Sequence, residues 1–280
     1  MRLPTGAATR THSFTLAFYA ALTVSLSCLA PATRIDHQAK HLGLSRSLVQ
    51  GTEFGHVIYQ SADSSTAGPL HVYLEGDGTP WIGETRISSD PTPRRAYALE
   101  LMALDSQPSA YIGRPCYHGE QKEEPCKPGL WTHQRYSSQV VDSLEATIRS
   151  VATERSDPGL ILIGFSGGGV LAMLLADRLQ DTRAVVTIAS NLDIDAWTEL
   201  HDYSPLTDSL NPTRQPPLPT AIRQFHLAGG KDTRVPPEII EPTAGLQPDS
   251  QYRMYPDFDH TCCWTEIWPE ILAEIAELPE

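Results

Sequence analysis

The stretch ILIGFSGGGVLAMLLADRL, residues 161–179, decides how the rest of the chain is read. Its first part is apolar without alternation, which suits a parallel strand buried on both faces. Its last part is apolar on every side, which suits a helix buried all round. Ser166 and three glycines stand at the join. Gly164, Ser166 and Gly168 make a G-x-S-x-G pattern. Three specified residues recur by chance, so the weight comes from the strand before them and the helix after. A strand-to-helix turn that sharp lifts a serine hydroxyl above the sheet, and only small flanking residues let it form. The N-terminus of the following helix adds a positive dipole end at the same point. The competing reading is a glycine-rich turn without chemistry, and the rest of the chain decides between the two.

On either side, short apolar runs alternate with helix-like stretches. Residues 55–61, 70–76, 109–115, 159–166, 183–190, 222–230 and 250–257 read as strands. Val140, Val141, Leu144, Ile148 and Val151 fall at helical spacing. So do Ile267, Ile271 and Ile275, with Pro269 early enough in that helix to be tolerated. Residues 91–104 begin with prolines and continue with helix formers, predicting another helix. The alternation predicts an α/β fold with a mostly parallel central sheet flanked by helices. Residues 51–280 make this one domain. The irregular segment between TIAS and IRQFHL is long enough for a small cap and too short for a large lid domain.

The chain has 280 residues and a formal charge of -13, which repels phosphate backbones and argues against a nucleic-acid partner. Residues 1–30 read as a signal: a mildly basic start, then an uncharged apolar run over residues 14–30, shorter than the ~20 residues of a spanning helix. Two processing routes stay open. SLSC, ending at Cys28, resembles a lipoprotein box with lipidation at that cysteine, and APA, residues 30–32, resembles an ordinary cleavage site. Export to the periplasm, tethered to the outer membrane by a lipid or released as a secreted protein, follows from either; the lipid is the one expected membrane contact. Residues 31–50 read as a polar, irregular tether. Without Cys28, four of the five cysteines remain. Cys116 and Cys126 share a polar, Pro-rich loop and are expected to pair in an oxidising compartment. Adjacent Cys262 and Cys263 can pair with each other, stay reduced or pair elsewhere.

A serine nucleophile needs a base and an acid that orients it. Asp232, in FHLAGGKDTRVP, and His260, in YPDFDHTCCW, each follow a strand, so both emerge on the same sheet edge as Ser166. Asp193, in SNLDIDAW, also follows a strand and is the second choice of acid. GFSGG, GGKDTRVP and DFDH, in that order, resemble the α/β-hydrolase family over nearly everything from residue 50 onward. The resemblance implies Ser166 as nucleophile, His260 as general base and Asp232 as the orienting acid. YLEGDG, GRPC and LWTHQRYS further resemble a bacterial envelope-associated branch of those hydrolases.

The family's oxyanion hole takes one N–H from the residue after the nucleophile, here Gly167. The other comes from the loop after an earlier strand, often His-Gly. YLEGDGTPW stands there instead, so Glu75 and Gly76 replace His-Gly, and Asp77 supplies the second N–H. Carboxylates beside a developing oxyanion are unfavourable, so Glu75 and Asp77 are expected to point away or be paired, with Arg114 and Arg135 as partners. Trp81, Trp131 and Trp264 are candidate pocket walls. No dinucleotide fingerprint or Walker loop occurs, no third ligand accompanies His37 and His41, and so neither cofactor nor metal is expected. The expected activity is a serine hydrolase acting on small-molecule or lipid carboxylic esters. The same triad serves an acyltransferase or a peptidase, and a non-catalytic envelope protein on the hydrolase fold is the third reading.

Overall fold

The computed structural model describes residues 29–278 apart from residues 62–67, 84, 154, 156 and 158. The apolar leader and Cys28 lie outside the described residues. Eight strands form one sheet in the order β1-β2-β6-β3-β7-β8-β9-β10. They are β1 (Leu44–Gln50), β2 (Gly55–Ser61), β3 (Leu70–Leu74), β6 (Ser109–Ile112), β7 (Leu160–Phe165), β8 (Thr182–Ile188), β9 (Arg223–Gly229) and β10 (Ser250–Tyr255). The β1–β2 and β2–β6 pairs are antiparallel, and all pairs from β6 to β10 are parallel. A two-stranded hairpin, β4 (Trp81–Ile82) and β5 (Arg86–Ile87), stands apart.

Two apolar layers fill the two faces. On one, α1 (Pro31–His41), α2 (Tyr97–Met102) and α7 (Trp264–Ala276) cover Tyr73, Ile161, Ile163, Val186 and Leu227. On the other, α3 (Ser138–Ala152), α4 (Gly167–Ala176) and α6 (Pro237–Gly245) cover Val72, Leu74, Leu162 and Val185. β7 is buried along its whole length, and every residue of α4 is buried. That is the doubly covered strand and all-round apolar helix of residues 161–179. Between β8 and β9 the chain makes α5 (Ile194–Leu200) and one 3₁₀ turn (Pro212–Arg214), with no separate lid domain among the described residues.

Two local readings need correction. Residues 31–50 are not irregular: they form α1 and the edge strand β1. Their apolar content is thin because α1 buries only Ile35 and Ala39, and β1 is exposed along most of its length. Arg46 on β1 pairs with Asp36 and Glu120 across this edge, the kind of charge that keeps an open strand from pairing with another chain. The helix read over 91–104 is confined to Tyr97–Met102. Pro91 instead runs beside the loop after β3, its carbonyl accepting the Thr79 N–H at 2.8 Å. The hairpin and α6 had no sequence reading, the one being two residues per strand and the other opening on Pro236 and Pro237.

Cys116 and Cys126 form a disulfide with Cα atoms 5.6 Å apart. Cys262 and Cys263 are joined to each other. No helix among the described residues is long and apolar enough to cross a membrane. Closing the short 116–126 loop restricts the unfolded chain, so replacing both cysteines by serine is expected to lower stability by about 3 kcal/mol. Urea unfolding of the oxidised proteins checks this, and a loss below about 1 kcal/mol would contradict it.

Candidate active site

The carboxyl ends of β7, β9 and β10 carry Ser166, Asp232 and His260 to one edge of the sheet. Ser166 is the single residue between β7 and α4, at φ 51° and ψ -125°. A residue with a side chain rarely adopts φ above zero, and here both flanks impose it. Its N–H donates to the Ile188 carbonyl at 2.8 Å, and its carbonyl accepts the Gly169 N–H at 2.9 Å. The turn closes because α4 lies hard against the sheet. A Cβ on Gly168 would sit 2.1 Å from the Leu74 carbonyl oxygen, and one on Gly164 would sit 2.3 Å from the Gly168 carbonyl oxygen. Both glycines of the G-x-S-x-G pattern are therefore required sterically.

Asp232 is buried beyond the end of β9. Its Oδ1 accepts the N–H groups of Arg234 (2.8 Å) and Val235 (2.9 Å), and its Oδ2 lies 2.8 Å from His260 Nδ1. Opposite a carboxylate so fixed, Nδ1 carries the ring proton and Nε2 offers its lone pair. The imidazole packs on the Phe165 ring at 5.2 Å, one residue before Ser166. Asp259 accepts the N–H groups of Thr261 and Cys262, both at 2.7 Å, and shapes the loop that carries His260. Asp193 takes a different job as well: it caps α5 through the N–H groups of Asp195 and Ala196, and Asn211 Nδ2 donates to it at 3.0 Å.

Of the three tryptophans considered as walls, Trp131 is buried and donates to the Ser88 carbonyl, while Trp81 stands on the exposed hairpin. Trp264 donates to the His260 carbonyl at 3.2 Å and, with Tyr97 and Phe165, lines a small cleft between α2 and α7. A second buried His–Asp pair has no sequence reading: His71 Nδ1 lies 2.7 Å from Asp105 Oδ2, an oxygen that also accepts the Tyr73 hydroxyl. His71 is at the beginning of β3, on the far edge of the sheet from Ser166. His226 is packed beneath the helices against Thr187, its pKa lowered to about 4 by burial.

The loop after β3 holds the two acids. Gly76 touches Ser166 so closely that a Cβ on it would lie 3.2 Å from the serine Cβ. Its N–H, however, is taken by the Glu75 carboxylate at 3.0 Å, so Gly76 supplies no oxyanion donor. Among the described residues no acceptor takes the N–H of Gly167 or Asp77. The other Glu75 oxygen accepts the Ala98 N–H at 3.0 Å, tying the loop to α2. Arg114 and Arg135 do not meet Glu75's carboxylate but that of Asp77, at 2.8 and 2.7 Å. Burial raises the Asp77 pKa, and the two guanidinium groups outweigh it and hold the carboxyl below its usual range. Glu75 has no such cation on its oxygens. Burial pushes it up to about 8, only partly opposed by its two amide donors.

No protein-family model matches the chain, and no curated protein matches it in sequence. Solved structures do match. A Pyrococcus furiosus esterase superposes with a TM-score of 0.58 at 14% identity, over 85% of this chain and 93% of the other. A membrane phospholipase A, a bacterial virulence factor, gives 0.55 at 14% identity over 94% and 97%. A Xanthomonas campestris serine hydrolase without a lid gives 0.54 at 12% identity over 85% and 96%. The chain has the α/β-hydrolase fold.

The Glu75 pKa in the fold lies above the 4.5 of an ordinary glutamate. Its contribution to stability is full at low pH and is lost as pH rises through about 8, where the fold must hold a buried carboxylate. The melting temperature is expected to fall less between about pH 6 and pH 9 in Glu75→Gln than in the wild type. Parallel curves for the two proteins would contradict it.

Proposed function

We propose that this protein is a serine hydrolase that cleaves carboxylic esters through an acyl-enzyme on Ser166. The observation that carries the reading is the buried Asp232 Oδ2···His260 Nδ1 pair at 2.8 Å, on the sheet edge where Ser166 stands in its strained turn. The α/β-hydrolase fold and the esterase among its structural neighbours agree with it.

Each step follows from a named atom. Ser166 Oγ attacks the ester carbonyl carbon while His260 Nε2 takes its proton. The imidazolium so formed is stabilised by Asp232, whose own proton count does not change. Charge on the carbonyl oxygen is met by the N–H groups of Gly167 and Asp77, helped by the N-terminal end of α4. His260 returns the proton to the departing alkoxide. Water then repeats the sequence on the acyl-enzyme, with His260 again as base. An alcohol or amine in place of that water would make the same residues an acyltransferase. The apolar leader and the Cys116–Cys126 bridge support export to an oxidising compartment, with Cys28 as the candidate lipid anchor.

Among the described residues the β8–β9 connection, residues 189–222, forms no separate lid domain, which favours short, freely dispersed esters over emulsified long-chain lipids. Purified protein is expected to hydrolyse p-nitrophenyl acetate and butyrate. Ser166→Ala and His260→Ala should each reduce kcat by about a thousandfold or more. Asp232→Asn should reduce it by up to about ten-thousandfold, since the amide favours the wrong imidazole tautomer. Turnover that survives Ser166→Ala would overturn the reading.

A further inference from the structure

Asp77 presents a problem that the triad does not explain. A Cβ on Gly167 would lie 2.0 Å from Asp77 Oδ1, so the carboxylate packs directly on the residue after the nucleophile. An acid there opposes the negative charge that acyl transfer builds. Its surroundings reverse that effect. Arg114 Nη2 donates to Oδ1 at 2.8 Å, Arg135 Nη1 donates to Oδ2 at 2.7 Å, and the Tyr136 hydroxyl lies 2.7 and 2.8 Å from the two oxygens. The Tyr117 hydroxyl donates to the Asp77 backbone carbonyl at 2.9 Å. The arginine side chains are 2% and 6% exposed. Two buried cations against one carboxylate leave one positive charge in excess on the Gly167 side of Ser166.

Resting on the serine-hydrolase reading above, we propose that Arg114, Arg135 and Tyr136 are positioning residues for the oxyanion hole, acting through Asp77. They clamp its side chain so that the Asp77 and Gly167 N–H groups face the same point, and they leave an uncompensated positive charge for the oxyanion to balance. The clamp is rigid in both directions. Arg114 also donates to the carbonyls of Glu75 and Arg135, and Arg135 to that of Thr132. The loop after β3 is thereby fixed to the segment that leads into α3. Every ligand of Asp77 is buried, so the charge is weakly screened and acts at short range. The hydroxyl of Tyr136 is also beside Gly167, 2.5 Å from the position a Cβ would take. The arrangement is specific to the transition state: an uncharged ester carbonyl gains little from it, and a tetrahedral oxyanion gains much.

Tyr136→Phe removes one donor and keeps the ring, and Arg135→Lys keeps the charge while losing the guanidinium geometry. Hydrolysis of p-nitrophenyl butyrate and inhibition by an alkyl trifluoromethyl ketone, which forms a tetrahedral oxyanion on the serine, are measured together with the melting temperature. Each variant is expected to lose about tenfold in kcat with KM within about twofold, and Ki for the ketone should rise by the same factor as kcat/KM falls. Should Arg135→Lys not fold, Tyr136→Phe decides alone. A folded Tyr136→Phe with unchanged kcat and Ki overturns the inference. So does a rise in KM with a lower melting temperature and an unchanged Ki, which would make the cluster structural only. A wild type without Ser166-dependent turnover overturns the hydrolase reading and takes this inference with it; active wild type with insensitive variants overturns this inference alone.

Discussion

The geometry of the site depends on how closely α4 approaches the sheet. The carbonyl oxygens of Leu74 and Gly168 occupy the space that side chains at Gly168 and Gly164 would need. With no Cβ at either position, β7 turns into α4 through a single residue. That residue is held at a positive φ, with its hydroxyl at the carboxyl end of the strand. Backbone strain of this kind costs on the order of 1–3 kcal/mol. It is offset by the burial of β7 and α4 along their whole lengths, since neither element can move without exposing apolar surface.

The same close approach places the loop after β3 beside Ser166, and that loop is acidic. The two acids are handled differently. Asp77 is ionised between two guanidinium groups, whereas Glu75 is buried on two backbone amides with no cation on its carboxylate. A buried carboxyl without a countercharge gives up its own charge, and one with a countercharge keeps it. The loop thus combines a neutral tether to α2 with a charged clamp toward α3. Between them, among the described residues, no acceptor takes the N–H of Asp77 or that of Gly167.

The sequence was legible where burial leaves a simple pattern. Strand β7 is a continuous apolar run because helices cover both faces, the inner halves of β8 and β9 are buried beside it, and the ends of β7, β9 and β10 carry Ser166, Asp232 and His260. The pattern failed at the edges of the molecule. β1 pairs with only one neighbour and is largely solvated, so its Leu44, Leu48 and Val49 make no continuous apolar run, and α1 needs only two buried side chains to dock. Prolines misled twice, once by suggesting a helix start at Pro91 and once by hiding one at Pro237. The choice between Asp193 and Asp232 turned on which side chain was already engaged, and a helix cap looks like any other aspartate in one dimension. The clamp on Asp77 joins residues 37 and 58 positions apart, so no local spacing could reveal it; the chemical conflict of an acid beside an oxyanion was the one signal that it needed partners.

The most direct test of the account is reaction of the purified, oxidised protein with a fluorophosphonate, the adduct being located by mass spectrometry of its peptides. An activated serine forms a single adduct on Ser166, absent in Ser166→Ala and greatly slowed in His260→Ala. A folded protein that takes no label, or takes it on another residue, would make Ser166 a turn residue and contradict the account.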